Sequence, residues 1–454
     1  MFKAEALLEE MYQDFLDGNK SARPNTQSFN VVLDALAKSR NPDSAKRAEA
    51  VLGQMIDLSS SGTLSVQPDT YSYNSVINVY AKHGLPDEAE GVLRRMTKAY
   101  HDGILNEPPN TVSYTAAIHA FARAGECSKA AFLLEEMYQE FLDGNESARP
   151  NNHSFSGVLD ALAKSSNPDS AQRAEAVLDR MIDLFNSGTL SVQPDLISFS
   201  SVINAYAKGG LADDAERVLR RMQKDYQGGL LDEPPNTICY NTTIHAFARA
   251  GECSKAEALL EEMYQEFLDG NKSARPNIRS FNAVLDALAK SSNVDSARQA
   301  EAVLDRMIDL FNSGTLPVQP NSISYNSVIN AFAQCGLGHD AERLFQCMVQ
   351  DYDGGDTSAK PDIITFNVLL KSYSKSDVLN PGAKADAALK LMMDHFKLEP
   401  NAALLISAKI CWRKDLTHPN TKKRLSELQA AIERIGKPNG KSKRRGQRRS
   451  GKKH

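Results

Sequence analysis

A small hydrogen-bonding side chain recurs along the chain at intervals of 41 or 44 residues, each time directly after an aromatic residue. Its nine copies are Asn30, Asn74, Thr115, Ser156, Ser200, Asn241, Asn282, Asn326 and Asn367. The amides and hydroxyls of these residues can both donate and accept hydrogen bonds. Asn, Ser and Thr are only mediocre helix formers, so their presence in all nine copies of a helical pattern indicates a role beyond helix propensity.

A positively charged side chain lies eight residues after eight of these nine side chains. The cations are Lys38, Lys82, Arg123, Lys164, Lys208, Arg249, Lys290 and Lys375, and Gln334 takes the ninth place. The residue halfway between is also polar: Asp34, Asn78, His119, Asp160, Asn204, His245, Asp286, Asn330 or Lys371. This spacing puts all three side chains on one edge of a helix. A plain solvated face would mix acids and bases at the cationic place, so the sorted row predicts a regularly spaced polyanion along it.

The charge is divided unevenly along the chain. The 454 residues carry a formal net charge of −4. Residues 441–454 hold eight Lys and Arg and no acid, which leaves 45 basic against 57 acidic residues, or −12, for residues 1–440. We expect this basic tail to be disordered, and either to hold nucleic acid without sequence choice or to serve as a nuclear address.

The composition excludes several classes of protein. With 41% hydrophobic and 24% charged residues, the chain is neither disordered nor fibrous. A mean hydropathy of −0.42 and the lack of an apolar run near about 18 residues exclude a membrane protein. The six cysteines contain no Cys-x-x-Cys pair, which indicates a reducing compartment and argues against structural zinc. Because the His-x-Glu and Pro-Cys-x-x-Cys motifs of a zinc deaminase are also missing, we expect no catalytic residue, metal, cofactor or small-molecule substrate.

The elements that position the polar side chains come from an internal repeat. The segment SFNVVLDALAKSRNPDSA at Ser28 returns at Ser154 and Ser280 with few changes, displaced by 126 residues each time. Cutting after each Pro-Asp or Pro-Asn pair divides that block again and gives nine units of 39 to 44 residues. The units are residues 26–69, 70–110, 111–151, 152–195, 196–236, 237–277, 278–321, 322–362 and 363–401. Such near-identity indicates recent tandem duplication.

The sequence of each unit predicts two helices. Numbered from the start of a unit, the polar side chains above are positions 5, 9 and 13, and the aromatic residue is position 4. We expect position 4 to pack in the core rather than to stack on a base. One helical hairpin cannot bury its own apolar face, so neighbouring units must stack. The sequence therefore predicts an all-α fold, a right-handed superhelical α-solenoid of helix–turn–helix repeats, in place of the three globular domains that the length alone would predict.

The two ends of the chain depart from the repeat. Residues 1–25 align with residues 253–277, so the chain is expected to begin with the second helix of a partial unit, as in a fragment or truncated gene model. Residues 402–440 are predicted to form C-terminal capping helices, and residues 441–454 the disordered basic tail.

The units resemble the pentatricopeptide repeat family over about residues 1–401. The resemblance is carried by YNSVINVYAKHGLPDEAEGVLRRM from Tyr73, FSSVINAYAKGGLADDAERVLRRM from Phe199 and YNSVINAFAQCGLGHDAERLFQCM from Tyr325. It implies binding of single-stranded RNA at one base per unit. In the family, position 5 and the last residue of the unit read the base, position 2 packs against it, and the cation near position 13 contacts phosphate. The last residues here are Asp69, Asn110, Asn151, Asp195, Asn236, Asn277, Asn321, Asp362 and Asn401.

The resemblance also implies a base for each unit. The pairing rules of the family give U, C or U, A, G, A, C or U, C or U, U, C or U, from 5′ to 3′. Position 2 suits base packing in six units, as Tyr71, Val112, Ile197, Ile238, Ile323 and Ile364. It does so less clearly as Gln27, His153 and Arg279, all in the 44-residue units. The units are longer than is usual in the family, which leaves strict one-base spacing open.

Three functions remain open from the sequence. The leading hypothesis is a non-catalytic RNA-binding protein that acts in RNA processing, stability or translation, with other RNA-processing proteins as possible partners and no membrane. The first alternative is a protein-binding scaffold that resembles tetratricopeptide arrays, and the second is the RNA-binding arm of a truncated RNA-processing enzyme. The resemblance alone points to a mitochondrion or plastid.

Overall fold

The structure is a computed structural model that describes residues 2–165, 167–415 and 418–436. Over these residues the chain forms 21 α-helices, four 3₁₀ turns and no β-strand. The predicted all-α solenoid of helix–turn–helix repeats is confirmed. None of the helices in this part of the chain is both long and apolar enough to cross a membrane. The predicted basic tail, residues 441–454, lies outside the described residues.

The chain divides into two compact units, residues 1–246 and 247–454. The helices that begin in the first are α1 (Phe2–Leu16), α2 (Thr26–Ala37), α3 (Ser44–Ser60), α4 (Thr70–His83), α5 (Pro86–His101), α6 (Thr111–Ala124), α7 (Cys127–Leu142), α8 (Asn152–Lys164), α9 (Ser170–Asn186), α10 (Leu196–Lys208), α11 (Ala212–Gln227) and α12 (Thr237–Ala250). Those of the second are α13 (Cys253–Leu268), α14 (Ile278–Lys290), α15 (Val294–Asn312), α16 (Ser322–Gln334), α17 (Gly338–Asp353), α18 (Ile363–Lys375), α19 (Pro381–Asp394), α20 (Ala402–Lys414) and α21 (Thr421–Gly436).

Within each compact unit the helices pair as hairpins, one to each predicted repeat. The even-numbered helices from α2 to α18 are the first helices of the repeats, and the odd-numbered helices from α3 to α19 are the second. Within each compact unit, successive first helices pack side by side, as α4 does against α2 and α6, and as α16 does against α14 and α18. Within a compact unit, first helices that pack in this way present the same positions to one another.

The start of each first helix is set by the last residue of the preceding repeat. Asp69 is extended and precedes α4, and its Oδ1 accepts a hydrogen bond of 2.8 Å from the backbone N–H of Ser72. The Ser72 hydroxyl in turn accepts from the backbone N–H of Asp69 at 3.2 Å. This reciprocal capping box recurs at α2, α6, α8, α10, α14, α16 and α18. A cap of this type stabilises a helix by about 1 kcal/mol, and the Pro before it prevents an earlier start.

The core lies between the first and second helices of each hairpin. The aromatic residue at position 4 is buried in all nine repeats, which confirms its predicted packing role. These residues are Phe29, Tyr73, Tyr114, Phe155, Phe199, Tyr240, Phe281, Tyr325 and Phe366. The second helix of each repeat also holds a buried Met, such as Met96 or Met222. Burial of one such aromatic side chain contributes about 1.5–3 kcal/mol.

The second helices are linked to one another by ion pairs. Arg94 of α5 pairs with Glu136 of α7, and Arg298 of α15 lies 3.1 Å from Asp340 of α17. These arginines are about half exposed, so each pair contributes at most about 1 kcal/mol. Much of the positive charge of the second helices is thereby matched within the protein.

Glycine packing at the C-terminal end gives a direct test of the fold. A Cβ on Gly382 of α19 would lie 2.5 Å from the Trp412 ring, whereas a Cβ on Gly91 of α5 would meet nothing within 4 Å. We expect Gly382→Ala to destabilise the protein by about 1–3 kcal/mol through overpacking. The matched control Gly91→Ala should stabilise it by about 0.5–1 kcal/mol. Thermal unfolding followed by circular dichroism measures both, and a higher melting temperature for Gly382→Ala would contradict the packing of α19 on α20.

Candidate nucleic-acid interface

The structure brings the side chain at position 5 into contact with the last residue of the same repeat. In residues 1–246, the Asn30 amide Nδ2 donates to the Asp69 carboxylate at 3.2 Å, and Asn74 Nδ2 donates to Asn110 Oδ1 at 3.2 Å. Two further pairs lie in residues 247–454. They are Asn282 with Asn321 at 3.5 Å and Asn326 with Asp362 at 3.2 Å. Residues about 40 positions apart, which the family resemblance paired, are therefore neighbours in space.

A hydroxyl at position 3 of the next repeat completes this contact. Ser113 Oγ lies 2.6 Å from Asn74 Oδ1, and it is also the capping-box hydroxyl of α6. Ser72 contacts Asn30 Oδ1 at 2.7 Å in the same way. We call the position-5 side chain, the last residue of its repeat and the position-3 residue of the next repeat the junction triad. Position 3 is absent from the predicted site residues, although the sequence carries the signal: Ser or Thr occupies it in eight of the nine repeats, with Cys239 as the exception.

Thr115 contacts the position-3 hydroxyl of the next repeat, whereas Ser156 and Ser200 bond within their own helices. Thr115 Oγ1 lies 3.0 Å from Ser154 Oγ, which contacts Asn151 Oδ1 at 3.1 Å. Ser156 and Ser200 donate to carbonyl oxygens of their own helices, at 3.2 and 3.1 Å.

Near the C-terminal end, Asn367 Oδ1 accepts from Ser407 at 3.1 Å, and Asn401 caps α20. Asn241 lies half-buried in α12. Asn236 accepts from the backbone N–H of Ile238 at 2.9 Å, and Asn277 and Asp195 are the caps of α14 and α10.

Position 2 is exposed in every repeat. The six apolar residues predicted to pack on bases are 53–63% exposed: Tyr71, Val112, Ile197, Ile238, Ile323 and Ile364. Gln27, His153 and Arg279 are exposed as well. A single exposed apolar residue needs no explanation, but its recurrence at the same place of successive repeats within each compact unit is typical of a binding surface.

Positions 2 and 5 and the last residues share one groove in the first compact unit. The groove has a volume of about 1050 Å³. Its lining includes Tyr71 and Val112 from position 2, Asn74 and Thr115 from position 5, and Asn110. An apolar surface and a pair of hydrogen-bonding groups therefore alternate along it, with one set from each repeat.

Three position-13 cations of the 41-residue repeats contact the preceding first helix. Lys82 Nζ donates to the carbonyl oxygen of Ala37 at 2.6 Å, and Arg123 donates to that of Ala81 at 3.0 Å. Lys208 does the same with Ala163 at 2.8 Å. A cation at a helix C-terminus satisfies free carbonyls and complements the helix dipole. These cations at position 13 thus have a structural role, which helical spacing alone does not predict.

The 44-residue repeats differ at the same place. Lys38, Lys164 and Lys290 each lie 2.6 Å from an Asp at position 9 of their own helix, namely Asp34, Asp160 and Asp286. The hydrogen bond that Lys38 Nζ donates to Asp34 raises the pKa of Lys38. These three lysines are therefore neutralised within their own helices. Arg249 is exposed at the end of α12, and Lys375 donates to Gln334 at 2.7 Å.

Position 9 is neutral in the 41-residue repeats up to residue 362. Asn78, Asn204 and Asn330 occupy it in three of them, and His119 and His245 in two. Burial lowers the pKa of His119, so this imidazole carries no charge at neutral pH. The position-13 cation of these repeats faces no carboxylate at position 9. Lys371 takes the place in the last repeat, and desolvation lowers its pKa.

Within the described residues, no group of three or more His, Cys, Asp or Glu side chains is placed to hold a metal ion. Burial raises the pKa of the Cys239 thiol to about 11, which makes it a poor nucleophile at neutral pH.

Comparison with known proteins identifies the repeats. Models of the PPR repeat match residues 71–100, 112–140, 190–223, 233–264 and 323–352. Five segments of the chain are pentatricopeptide repeats. Among curated proteins, no sequence matches this pentatricopeptide repeat chain.

Solved pentatricopeptide repeat structures share its fold. Two structures of the protein PPR10, each in complex with an 18-nt psaJ RNA element, align with 95% of this chain at 23% identity and a TM-score of 0.53. The alignment covers 54% of the PPR10 chain, so this chain spans about half the length of those structures. A structure of PPR10 from maize aligns with 94% of this chain and 72% of that chain, at 18% identity and a TM-score of 0.33.

The two environments of position 13 predict different effects on stability. Lys82→Gln removes the cation from the end of α2, and we expect it to lower the free energy of unfolding by about 1 kcal/mol. Lys38→Gln is the matched control, because Lys38 contacts only an exposed Asp of its own helix and should leave stability nearly unchanged. Urea unfolding of both variants measures this difference. Equal losses would show that the contact with Ala37 does not stabilise the repeat junction.

Proposed function

We propose that this pentatricopeptide repeat protein binds single-stranded RNA with sequence selectivity, at about one base per repeat and without catalysis. Its role would be to cover or mark a transcript segment in RNA processing, stability or translation. The observation that carries the proposal is the contact between position 5 and the last residue of the repeat, beside an exposed apolar side chain at position 2. A base has a flat apolar face, which can pack on position 2, and a polar edge, which can form hydrogen bonds with position 5 and the last residue.

The capping box determines what the last residue can offer to a base. Asn110 Oδ1 already accepts from the backbone N–H groups of Val112 and Ser113 and from Asn74 Nδ2. Its Nδ2 therefore remains as a hydrogen-bond donor. Asp69 instead keeps an acceptor lone pair on Oδ2 beside the contact from Asn30 Nδ2, while its Oδ1 accepts from the Ser72 backbone N–H. A last Asn thus presents donors, and a last Asp presents an acceptor.

This difference supports the bases that the family resemblance implies. The ring N3 of cytosine accepts a hydrogen bond and suits the donor of Asn110. The N3–H of uracil donates and suits the Asp69 carboxylate, while the second N–H of Asn30 can donate to a uracil carbonyl. Similar PPR10 structures hold an 18-nt psaJ RNA element, which supports RNA as the ligand class here.

The phosphate contacts are expected to be unequal along the array. Lys82, Arg123 and Lys208 can each contact a phosphate with the N–H groups that the helix carbonyl leaves free. Lys38 and the two equivalent lysines are paired with Asp, so they add little net positive charge. We propose that the 41-residue repeats provide most of the electrostatic attraction.

Binding to a designed RNA tests the proposed function. We expect the nine-mer UCAGACCUC to bind at least about tenfold more tightly than a scrambled RNA of the same composition, because each well-read base contributes about 1–3 kcal/mol of discrimination. Fluorescence anisotropy at a fixed salt concentration measures both affinities. Equal affinity for the two RNAs would contradict sequence-selective binding. Tight binding of a peptide with no RNA binding would favour the scaffold alternative.

A double substitution tests the register of the repeats. In Thr115→Asn with Asn151→Asp, the third repeat acquires the pair that occurs at Asn30 and Asp69. Because Asp and Asn cap helices equally well, α8 should keep its start. We expect preference at the third nucleotide to change from A to U, by about tenfold, with no change at the second. Asn151→Asp alone is the control for the effect of charge, and an unchanged preference in the double variant would show that the register is wrong.

A further inference from the structure

We propose that the position-3 hydroxyl of the junction triad is a positioning residue that fixes the amide of position 5, and with it the polar group that faces a base. This inference rests on the proposed function. It assigns a role in base selection to Ser72, Ser113 and Ser324, which are not among the residues predicted to read a base. All three are fully buried side chains, so they act through the amide and do not themselves contact RNA.

The hydrogen bonds around Ser113 show how the orientation is set. The Ser113 hydroxyl accepts from the backbone N–H of Asn110 at 3.1 Å, and it has one proton to donate. Asn74 Oδ1 at 2.6 Å is a nearer acceptor than Asn110 Oδ1 at 3.1 Å. The proton therefore goes to Asn74, whose Oδ1 is held toward the serine.

The other side of the amide is fixed by the cap. Asn110 Oδ1 is an acceptor, and Asn74 Nδ2 donates to it at 3.2 Å. A flipped Asn74 amide would place its oxygen against Asn110 Oδ1 and would leave the serine proton without this acceptor. The cost of such a loss for a buried group is about 1–3 kcal/mol. The triad thus allows one orientation, in which the remaining N–H of Asn74 is the group offered to a base.

The same arrangement occurs in two other triads. Ser72 donates to Asn30 Oδ1 at 2.7 Å, and Ser324 donates to Asn282 Oδ1 at 2.7 Å. In both triads, the last residue of the repeat accepts from Nδ2 of the same amide. In three triads the position-5 Asn therefore accepts from the serine through Oδ1 and donates to the last residue through Nδ2.

The triad of the eighth repeat is incomplete. Thr365 donates to Asp362 Oδ1 at 3.0 Å, and within the described residues Asn326 Oδ1 is buried without a hydrogen-bond partner. Its Nδ2 still donates to Asp362 at 3.2 Å. Asn326 is thus fixed from one side only, and selection at the eighth nucleotide should be weaker than at the first, although both repeats carry the Asn and Asp pair.

The fourth repeat supplies a control without an amide at position 5. Its triad consists of Ser156, Asp195 and Ser198. Ser198 Oγ lies 2.6 Å from Asp195 Oδ1, and Ser156 donates to the carbonyl oxygen of His153. Ser198 and Ser113 are both fully buried members of a capping box. Replacing either serine by Ala removes the hydrogen bond that the hydroxyl accepts from the backbone N–H of the capping residue. Of the two, only Ser113 orients an amide.

The experiment compares Ser113→Ala with Ser198→Ala in the full chain. The probes are the nine-mer UCAGACCUC and its variants with each base at the second or fourth nucleotide. We expect Ser113→Ala to reduce the preference for pyrimidine over purine at the second nucleotide by about fivefold, the value of one hydrogen bond. Preference at the third nucleotide should not change. Ser198→Ala should lower the melting temperature by a similar amount and leave the preference at the fourth nucleotide unchanged.

The outcomes separate this inference from the proposed function. A wild-type protein without preference at the second nucleotide would overturn the proposed function. A wild-type preference that Ser113→Ala leaves intact, or a uniform loss at all nucleotides, would overturn the positioning role alone. Thr365→Ser provides a second test that does not weaken the fold. It should increase the preference for U at the eighth nucleotide by about fivefold, and no increase would contradict the role of the hydroxyl.

Discussion

The N-terminal cap of each first helix is the interaction on which the rest of the structure depends. One Asp or Asn ends a repeat and begins the next helix. In four repeats it also accepts a hydrogen bond from the position-5 side chain of the helix before it. Because the capping oxygen is committed to backbone N–H groups, the orientation of this residue is fixed by the fold. The residues of the proposed reading pair are therefore held in place before any ligand arrives, which lowers the entropy cost of binding.

Three of the position-13 cations also combine a structural role with a role at the surface. Lys82, Arg123 and Lys208 bind the free carbonyls at the end of the preceding helix, so they join successive repeats as well as giving the surface its positive charge. In the 44-residue repeats an Asp neutralises the equivalent lysine, and position 2 is polar. The array is thus not uniform. Its features recur every three repeats, as the 126-residue duplication predicts, and two repeats of each three offer an apolar position 2.

Much of the fold could be predicted from the sequence because it depends on local patterns. The hairpins follow from helical periodicity and Pro-Asp or Pro-Asn pairs, and the burial of position 4 follows from apolar spacing. The adjacency of Asn74 and Asn110 came only from the family resemblance. The roles of Ser113 and Lys82 were missed for one physical reason. Both residues bond to a different repeat, and periodicity within one helix does not show which groups of the next helix lie within hydrogen-bonding distance.

A structure of the protein bound to UCAGACCUC tests the central claim most directly, because it shows where each base lies. The account predicts that each base packs on position-2 side chains and turns its polar edge to position 5 and the last residue of one repeat. In the second repeat, cytosine N3 should accept a hydrogen bond from Asn110 Nδ2, with the Asn74 amide oriented as in the free protein. RNA bound along the second helices, or bases turned away from the junction triads, would contradict the account.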